Sequence, residues 1–181
     1  MPGGSIFHLY DAFSKDNFFQ IVSFYNEQSC VIAAESYYKL TDKIALVLVT
    51  SGPGMSNTST GVLNAFIDSV PIFIICGNAQ SKYLKYNYLR NYAPQGVSAI
   101  KVLGQISKKV VEFKKNDSFD IIPNLYELSK KIPSGPVVLQ IPLDLQKRLV
   151  SFKNNKNFNA LKQNTTKNFP NIEKLLKSSY R

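Results

Sequence analysis

Residues 44–71 read IALVLVTSGPGMSNTSTGVLNAFIDSVP, and this stretch decides the fold. An apolar run of strand length, Ile44 to Val49, breaks at a Gly-Pro-Gly turn. A helix then begins within a few residues and runs to near Ser69. A strand, a tight turn and a helix in that order present backbone amides to a ligand at the carboxyl end of a parallel strand. Immediately upstream, NEQSCVIAAESYYKLTDK carries Val31, Ala34 and Tyr38 at three- and four-residue steps, which predicts a helix from Glu27 to Leu40.

The same cadence continues outward on both sides. Ile6 to Ser14 has helical spacing and Phe18 to Phe24 (FFQIVSF) reads as a short strand. Pro71 opens a strand over Ile72 to Cys76. Residues 77–97 are polar, Tyr-rich and longer than an ordinary connection. A short helix at Ala99 to Leu103, a strand at Val110 to Phe113, a helix from Ser118 to Lys131 and a strand at Val137 to Ile141 follow. Alternating strands and helices predict an α/β fold, a three-layer, doubly wound parallel sheet, here with five strands and four main helices.

Bulk properties narrow the function. A chain of 181 residues, 44% hydrophobic and 19% charged, supports a globular domain with a real core. No run approaches the ~18 apolar residues of a membrane helix, and no basic region with an apolar segment opens the chain, so a cytoplasmic protein without membrane contact is expected. Cys30 and Cys76 sit in apolar runs and match no metal spacing. The net charge of +10 is unevenly placed. Residues 1–146 hold 13 Lys/Arg against 11 Asp/Glu, whereas residues 147–181 hold 9 Lys/Arg against Glu173 alone. The excess therefore lies in an Asn- and Lys-rich tail that reads as a solvated, mobile linker, not on a basic face for nucleic acid. The expected division is a domain over 1–146 and a basic linker over 147–181.

Several chemistries fail on residue type. Gly52-Pro53-Gly54-Met55-Ser56-Asn57 lacks the third Gly of a dinucleotide fingerprint, and no acidic residue ends the following strand. No Gly-Lys-Ser/Thr of a phosphate loop occurs. His8 is the sole histidine, with no nucleophile indicated beside it, and no metal-ligating cluster is visible. Asp68 precedes the turn at Pro71 and reads as fixing it through side-chain hydrogen bonds. Glu27, taken alone, reads as a helix-capping glutamate.

Taken together and in order, the Glu27 helix, TSGPG with Asn57, and DSVP at Asp68 to Pro71 resemble thiamine-diphosphate enzymes of the acetolactate synthase type. The match is to their pyrimidine-binding domain. The resemblance implies thiamine diphosphate as cofactor, with Glu27 as the carboxylate that hydrogen-bonds the far ring nitrogen of the aminopyrimidine and so favours the tautomer that removes the thiazolium proton. It implies that Pro53 and Asn57 lie against the same ring, that Pro2 and Gly3 approach the reacting end of the cofactor, and that Gln95 reaches the active site. Lys108, preceded by Ser107, matches a Thr-Lys position near the substrate channel. A turn, a loop amide and a solvated lysine are equally good accounts of these last three regions.

One departure stands out. Many acetolactate synthases have His before the Glu, whereas here it is Asn26. Asn-Glu-Gln is similar instead to the branch found in surface-polysaccharide loci. In relatives a strand precedes Pro-Gly-Gly, so the first strand of the sheet is expected to be missing, with unpaired backbone on its neighbours. The segment FPNIEKLLKSSYR resembles the lead-in to a central domain. The whole enzyme would be a 2-oxo acid decarboxylase or carboligase. It would have magnesium held by a separate diphosphate-binding domain of another subunit and would form a homo-oligomer. FAD occurs within the family, and nothing in this chain supports it. A stand-alone subunit of a split decarboxylase, or an inactive remnant, are the alternatives.

Overall fold

A computed structural model describes residues 3–84 and 96–148. Four strands form one parallel sheet: β1 (Leu46–Val49), β2 (Phe73–Asn78), β3 (Lys109–Glu112) and β4 (Val137–Pro142), in the order β1-β2-β4-β3. The register pairs Leu46 with Phe73, Phe73 with Val137 and Lys109 with Val137, so all four strands start level. Among the described residues there are six α-helices: α1 (Phe7–Ser14) and α2 (Glu27–Thr41) precede the sheet, α3 (Pro53–Ser56) and α4 (Ser59–Ile67) lie between β1 and β2, α5 (Ala99–Leu103) between β2 and β3, and α6 (Ile121–Lys130) between β3 and β4.

β2 and β4 are buried at every position. That is why Ile72 to Cys76 and Val137 to Ile141 read as unbroken apolar runs: a central parallel strand has helices on both of its faces. On one face Val31 and Ala34 of α2, Val62 and Ala65 of α4 and Leu103 of α5 pack with Val47, Val49, Ile74 and Val138. On the other, Leu125 of α6, Phe113 and Leu145 pack with Phe73, Ile75, Val137 and Leu139, and Leu9 of α1 joins them. Each fully buried Val, Ile or Leu contributes about 1.5–3 kcal/mol. The three-layer arrangement is the expected one.

Two polar features organise this core. Gln140, buried in β4, accepts from the Ala99 amide at 2.9 Å and donates to the Val97 carbonyl at 2.9 Å. It anchors the entry to α5 with both ends of one amide, so its own buried oxygen and nitrogen are both paired. At the other end of α2, Lys39 bridges Glu35 and Asp68, each at 2.6 Å, and thereby ties α2 to the end of α4. Asp68 thus serves an inter-helix ion pair, whereas the sequence suggested a bond within its own turn.

The expected strand over Phe18 to Phe24 is corrected by the structure. These residues form no ladder and have no regular secondary structure, leaving four strands among the described residues in place of five. Aromatic and β-branched residues supply strand propensity, but a strand exists only when a neighbour accepts its hydrogen bonds. β1 is an edge strand, and no described strand lies between it and residues 18–24. After β4, the helical turn Leu145–Lys147 stays attached: Gln146 donates to the Ser5 carbonyl at 2.7 Å, and Arg148 to the Lys115 carbonyl at 2.5 Å. The tail beyond Arg148 lies outside the described residues.

Candidate functional site

The turn after β1 requires its glycines. Gly52 has φ 58° and ψ −117°, a conformation L side chains avoid. Pro53 then takes the first position of α3, where its missing N–H costs nothing. A Cβ on Gly54 would stand 2.6 Å from Cγ2 of Thr50 and 3.3 Å from Oε1 of Glu27. Glycine at 54 is therefore what lets α3 close against the Glu27 carboxylate.

α2 brings that carboxylate in from the other side. Asn26 caps the helix, its Oδ1 accepting from the Gln28 amide at 2.8 Å and the Ser29 amide at 3.3 Å. Asn26 is thus the cap, and Glu27, in the first turn, has its carboxylate available for another partner. Nδ2 of Asn57 donates to Glu27 Oε2 at 2.8 Å. Oε1 has no hydrogen-bond partner among the described residues and lies over Gly54. A carboxylate at a helix amino terminus also sits in the favourable end of the helix dipole.

Glu27, Pro53, Gly54, Ser56 and Asn57 line one open cleft beside the carboxyl end of β1. Three of the residues singled out by sequence, Glu27, Pro53 and Asn57, therefore meet. Gly3 is close by: a Cβ there would fall on the Thr50 side chain. Ser5 holds this amino-terminal turn in place, its Oγ bonding Thr50 Oγ1 at 2.8 Å and accepting from the Ser51 amide at 2.8 Å. Thr50 is the shared neighbour of Gly3 and Gly54, a role sequence reasoning missed. Nothing in a lone threonine at a strand end signals it. Pro2 and Gln95 lie outside the described residues.

Lys108 is elsewhere. It precedes β3, at the amino end of the sheet, and its Nζ donates to the carbonyls of Lys131 and Pro133, the latter at 2.6 Å. Desolvation, with Lys131 nearby, lowers its pKa from the usual lysine value. Its place is the cap of α6, at the opposite end of the sheet from the cleft. Cys30, one turn along from Glu27, has its thiol pKa pushed up by burial and by the Glu27 charge, which disfavours a reactive thiolate. Burial drives the Cys76 thiol still higher. Among the described residues, no three His, Cys, Asp or Glu side chains gather as a metal site, and no helix is long and apolar enough to cross a membrane.

The cleft can accept a hydrogen bond from a ligand donor. It offers one unpaired carboxylate oxygen, an amide already oriented by that carboxylate, and a glycine whose lack of a side chain leaves the main chain approachable. Known proteins are similar in sequence over most of this chain. The chain is 32% identical over 145 residues to the acetolactate synthase large subunit of Buchnera aphidicola subsp. Schizaphis graminum, covering 80% of this chain and 24% of that protein. It is 33% identical over 143 residues to the acetolactate synthase large subunit of Haemophilus influenzae, covering 79% of this chain and 24% of that one. It is 29% identical over 144 residues to the acetolactate synthase isozyme 3 large subunit of Escherichia coli K12, again 80% and 24%. The chain thus spans about a quarter of the length of these relatives. Residues 1–102 match the family described as thiamine pyrophosphate enzyme, N-terminal TPP binding domain, and with more than half its length inside that match the chain belongs to this family.

Proposed function

We propose that this chain is the pyrimidine-binding part of an acetolactate synthase-like 2-oxo acid decarboxylase or carboligase, and that Glu27 presents its carboxylate to the aminopyrimidine of thiamine diphosphate. The observation that carries this is the split use of the Glu27 carboxylate. Oε2 is held by Asn57 and Oε1 is left open over Gly54. Thiamine diphosphate, when bound, supplies the nucleophilic carbon chemistry that 2-oxo acids require. The work of this chain is to orient the ring: Glu27 Oε1 accepts a hydrogen bond from a ring nitrogen that carries a proton and so favours that form of the ring, Asn57 keeps the carboxylate from rotating, and the turn at Pro53 and Gly54 brings main chain against the ring. Such orientation is where a protein adds to a cofactor's own reactivity.

The remaining assignments belong to the same proposal. Pro2 and Gly3 approach the reacting end of the cofactor, Gln95 reaches the active site, residues 1–146 form the binding domain, and residues 147–181 lead toward a further domain. Magnesium and the diphosphate are held by a domain of another subunit in a homo-oligomer. Asn26 in place of His supports the surface-polysaccharide branch over branched-chain amino-acid synthesis.

A pyrimidine probe tests the central claim on the protein as it is. Titration with 4-amino-2,5-dimethylpyrimidine, followed by amide NMR, is expected to move the resonances of Glu27, Gly54 and Asn57. Glu27→Gln is expected to weaken binding roughly tenfold, the loss of one charge-assisted hydrogen bond. Shifts elsewhere, or equal affinity in the variant, would overturn the assignment.

A further inference from the structure

The short 3-10 turn Gly4–Ile6 is held to the sheet by a side chain 141 residues further along the chain. Gln146, in the helical turn Leu145–Lys147 after β4, donates from Nε2 to the Ser5 carbonyl at 2.7 Å and to the Ile141 carbonyl at 3.0 Å. Ile141 belongs to β4, so one amide nitrogen joins the turn to the carboxyl end of a central strand. β2 makes room for the same carbonyl: a Cβ on Gly77 would overlap the Ser5 oxygen. A glycine inside a buried strand marks a close backbone approach, and here the approaching backbone is that of Ser5.

Ser5 passes this placement on to the cleft. Its Oγ bonds Thr50 Oγ1 and accepts from the Ser51 amide, each at 2.8 Å. Thr50 lies against Gly54, where an added Cβ would meet Thr50 Cγ2 at 2.6 Å and Glu27 Oε1 at 3.3 Å. A chain of close approaches therefore runs from Gln146 through Ser5, Thr50 and Gly54 to the open oxygen of Glu27. Gln146 Oε1 is itself buried and has no hydrogen-bond partner among the described residues. A buried acceptor left unpaired costs about as much stability as the donated bonds contribute. The effect of this side chain is thus chiefly geometric: it fixes where Ser5 lies.

We propose that Gln146 is a positioning residue for the cleft. By donating to Ser5 it sets the Thr50 side chain against Gly54, and so the way main chain and the Glu27 carboxylate meet a bound ring. Gln146 does not line the cleft and acts through Ser5. The role rests on the reading of the cleft as an aminopyrimidine site.

The test uses the 181-residue protein, 4-amino-2,5-dimethylpyrimidine as probe, and two variants. Gln146→Glu keeps the shape of the side chain but donates only while the introduced carboxyl is protonated. Facing two carbonyl oxygens, that carboxyl should titrate above the ordinary glutamate value. Gln146→Met keeps the volume and donates at no pH. Probe affinity is measured from about pH 5 to about pH 9 and divided by that of the parent at the same pH, which cancels titrations common to all three proteins. The Met variant is expected to bind about fivefold more weakly throughout, the loss of one ordinary hydrogen bond. The Glu variant should match it at the alkaline end and return to within about twofold of the parent at the acid end, with the Ser51 amide resonance following the same titration.

A merely structural glutamine would lower the urea midpoint of both variants and leave the affinity ratio at one. Parent-like affinity in the Met variant, with Glu27→Gln still weakening the probe, would overturn the role of Gln146 while keeping the reading of the cleft. A loss in the Glu variant that does not change with pH would overturn it as well, because the donated hydrogen bond would not then be what matters. Failure of the parent to bind the probe would overturn the reading of the cleft, and this role with it.

Discussion

Asn57 and Glu27 are 30 residues apart in the chain, yet Nδ2 of one and Oε2 of the other are 2.8 Å apart. The contact joins the end of α3 to the start of α2, across the turn that follows β1. It leaves one oxygen of the carboxylate engaged and the other open. If Asn57 positions Glu27, then Asn57→Leu should weaken the pyrimidine probe by roughly fivefold to tenfold. Asn57 is exposed, so thermal stability should stay within about 0.5 kcal/mol of the parent. A variant that binds the probe as well as the parent would remove Asn57 from the site.

Glu27→Gln separates shape from charge. Glutamine keeps the length of the side chain and a carbonyl for Asn57 to bond. In a fused or reconstituted enzyme that supplies the diphosphate-binding domain, we expect hydrogen–deuterium exchange at the thiazolium carbon of bound cofactor to fall by about a hundredfold or more, the range of a lost acid–base group. Denaturant midpoints should be unchanged. Exchange at the parent rate would mean that the carboxylate has no part in activating the cofactor.

Gly54→Ala should destabilise the turn by about 1–3 kcal/mol, because its methyl would overlap Thr50 Cγ2. Thr50→Ser removes that methyl while keeping the hydroxyl that bonds Ser5. The double variant should therefore recover part of the loss, a favourable coupling that urea unfolding of all four proteins would measure. Additive effects would place the strain elsewhere, for instance against Glu27.

The Lys39–Asp68 pair has a defined pH window. Its hydrogen bond to Lys39 holds the Asp68 carboxyl below the usual carboxylate range, and Asp68, then Glu35, raise the Lys39 ammonium above the usual lysine range. A carboxyl depressed in the folded state stabilises above its unfolded pKa and stops doing so as pH falls through the folded one. A lysine raised in the folded state stabilises below its unfolded pKa and loses this as pH rises through the folded value. The pair should thus contribute between about pH 4 and pH 10. Both partners are solvent-exposed, so Lys39→Met should cost a small but measurable amount at pH 7 and nothing at pH 2. A cost that persists at pH 2 would point to packing of the lysine stem instead of charge.

Lys108→Met should cost about 0.5–1 kcal/mol by releasing the carbonyls of Lys131 and Pro133, discounted for exposure. It should leave affinity for the pyrimidine probe untouched. Weaker probe binding in this variant would return Lys108 to the site, against its position at the amino end of β3.

The local rules written in this chain were sufficient for most of its elements. Continuous apolar runs at Ile72 to Cys76 and Val137 to Ile141 marked the buried central strands, since only a strand covered on both faces carries no polar alternation. Gly52-Pro53-Gly54 marked the turn and, with Glu27 upstream, the residues that line the cleft. Short-range patterns record backbone geometry and burial, which depend on neighbours in sequence. Long-range pairing does not leave such a record. FFQIVSF has the composition of a strand but no described ladder, because a strand is a property of two segments. Lys108 follows a plausible motif, yet its strand enters the sheet at the far end from the cleft. The order β1-β2-β4-β3, the reach of Asn57 to Glu27 and the meeting of Gly3 and Gly54 at Thr50 were decided only by the tertiary structure, since each depends on side chains brought together by packing across the sheet.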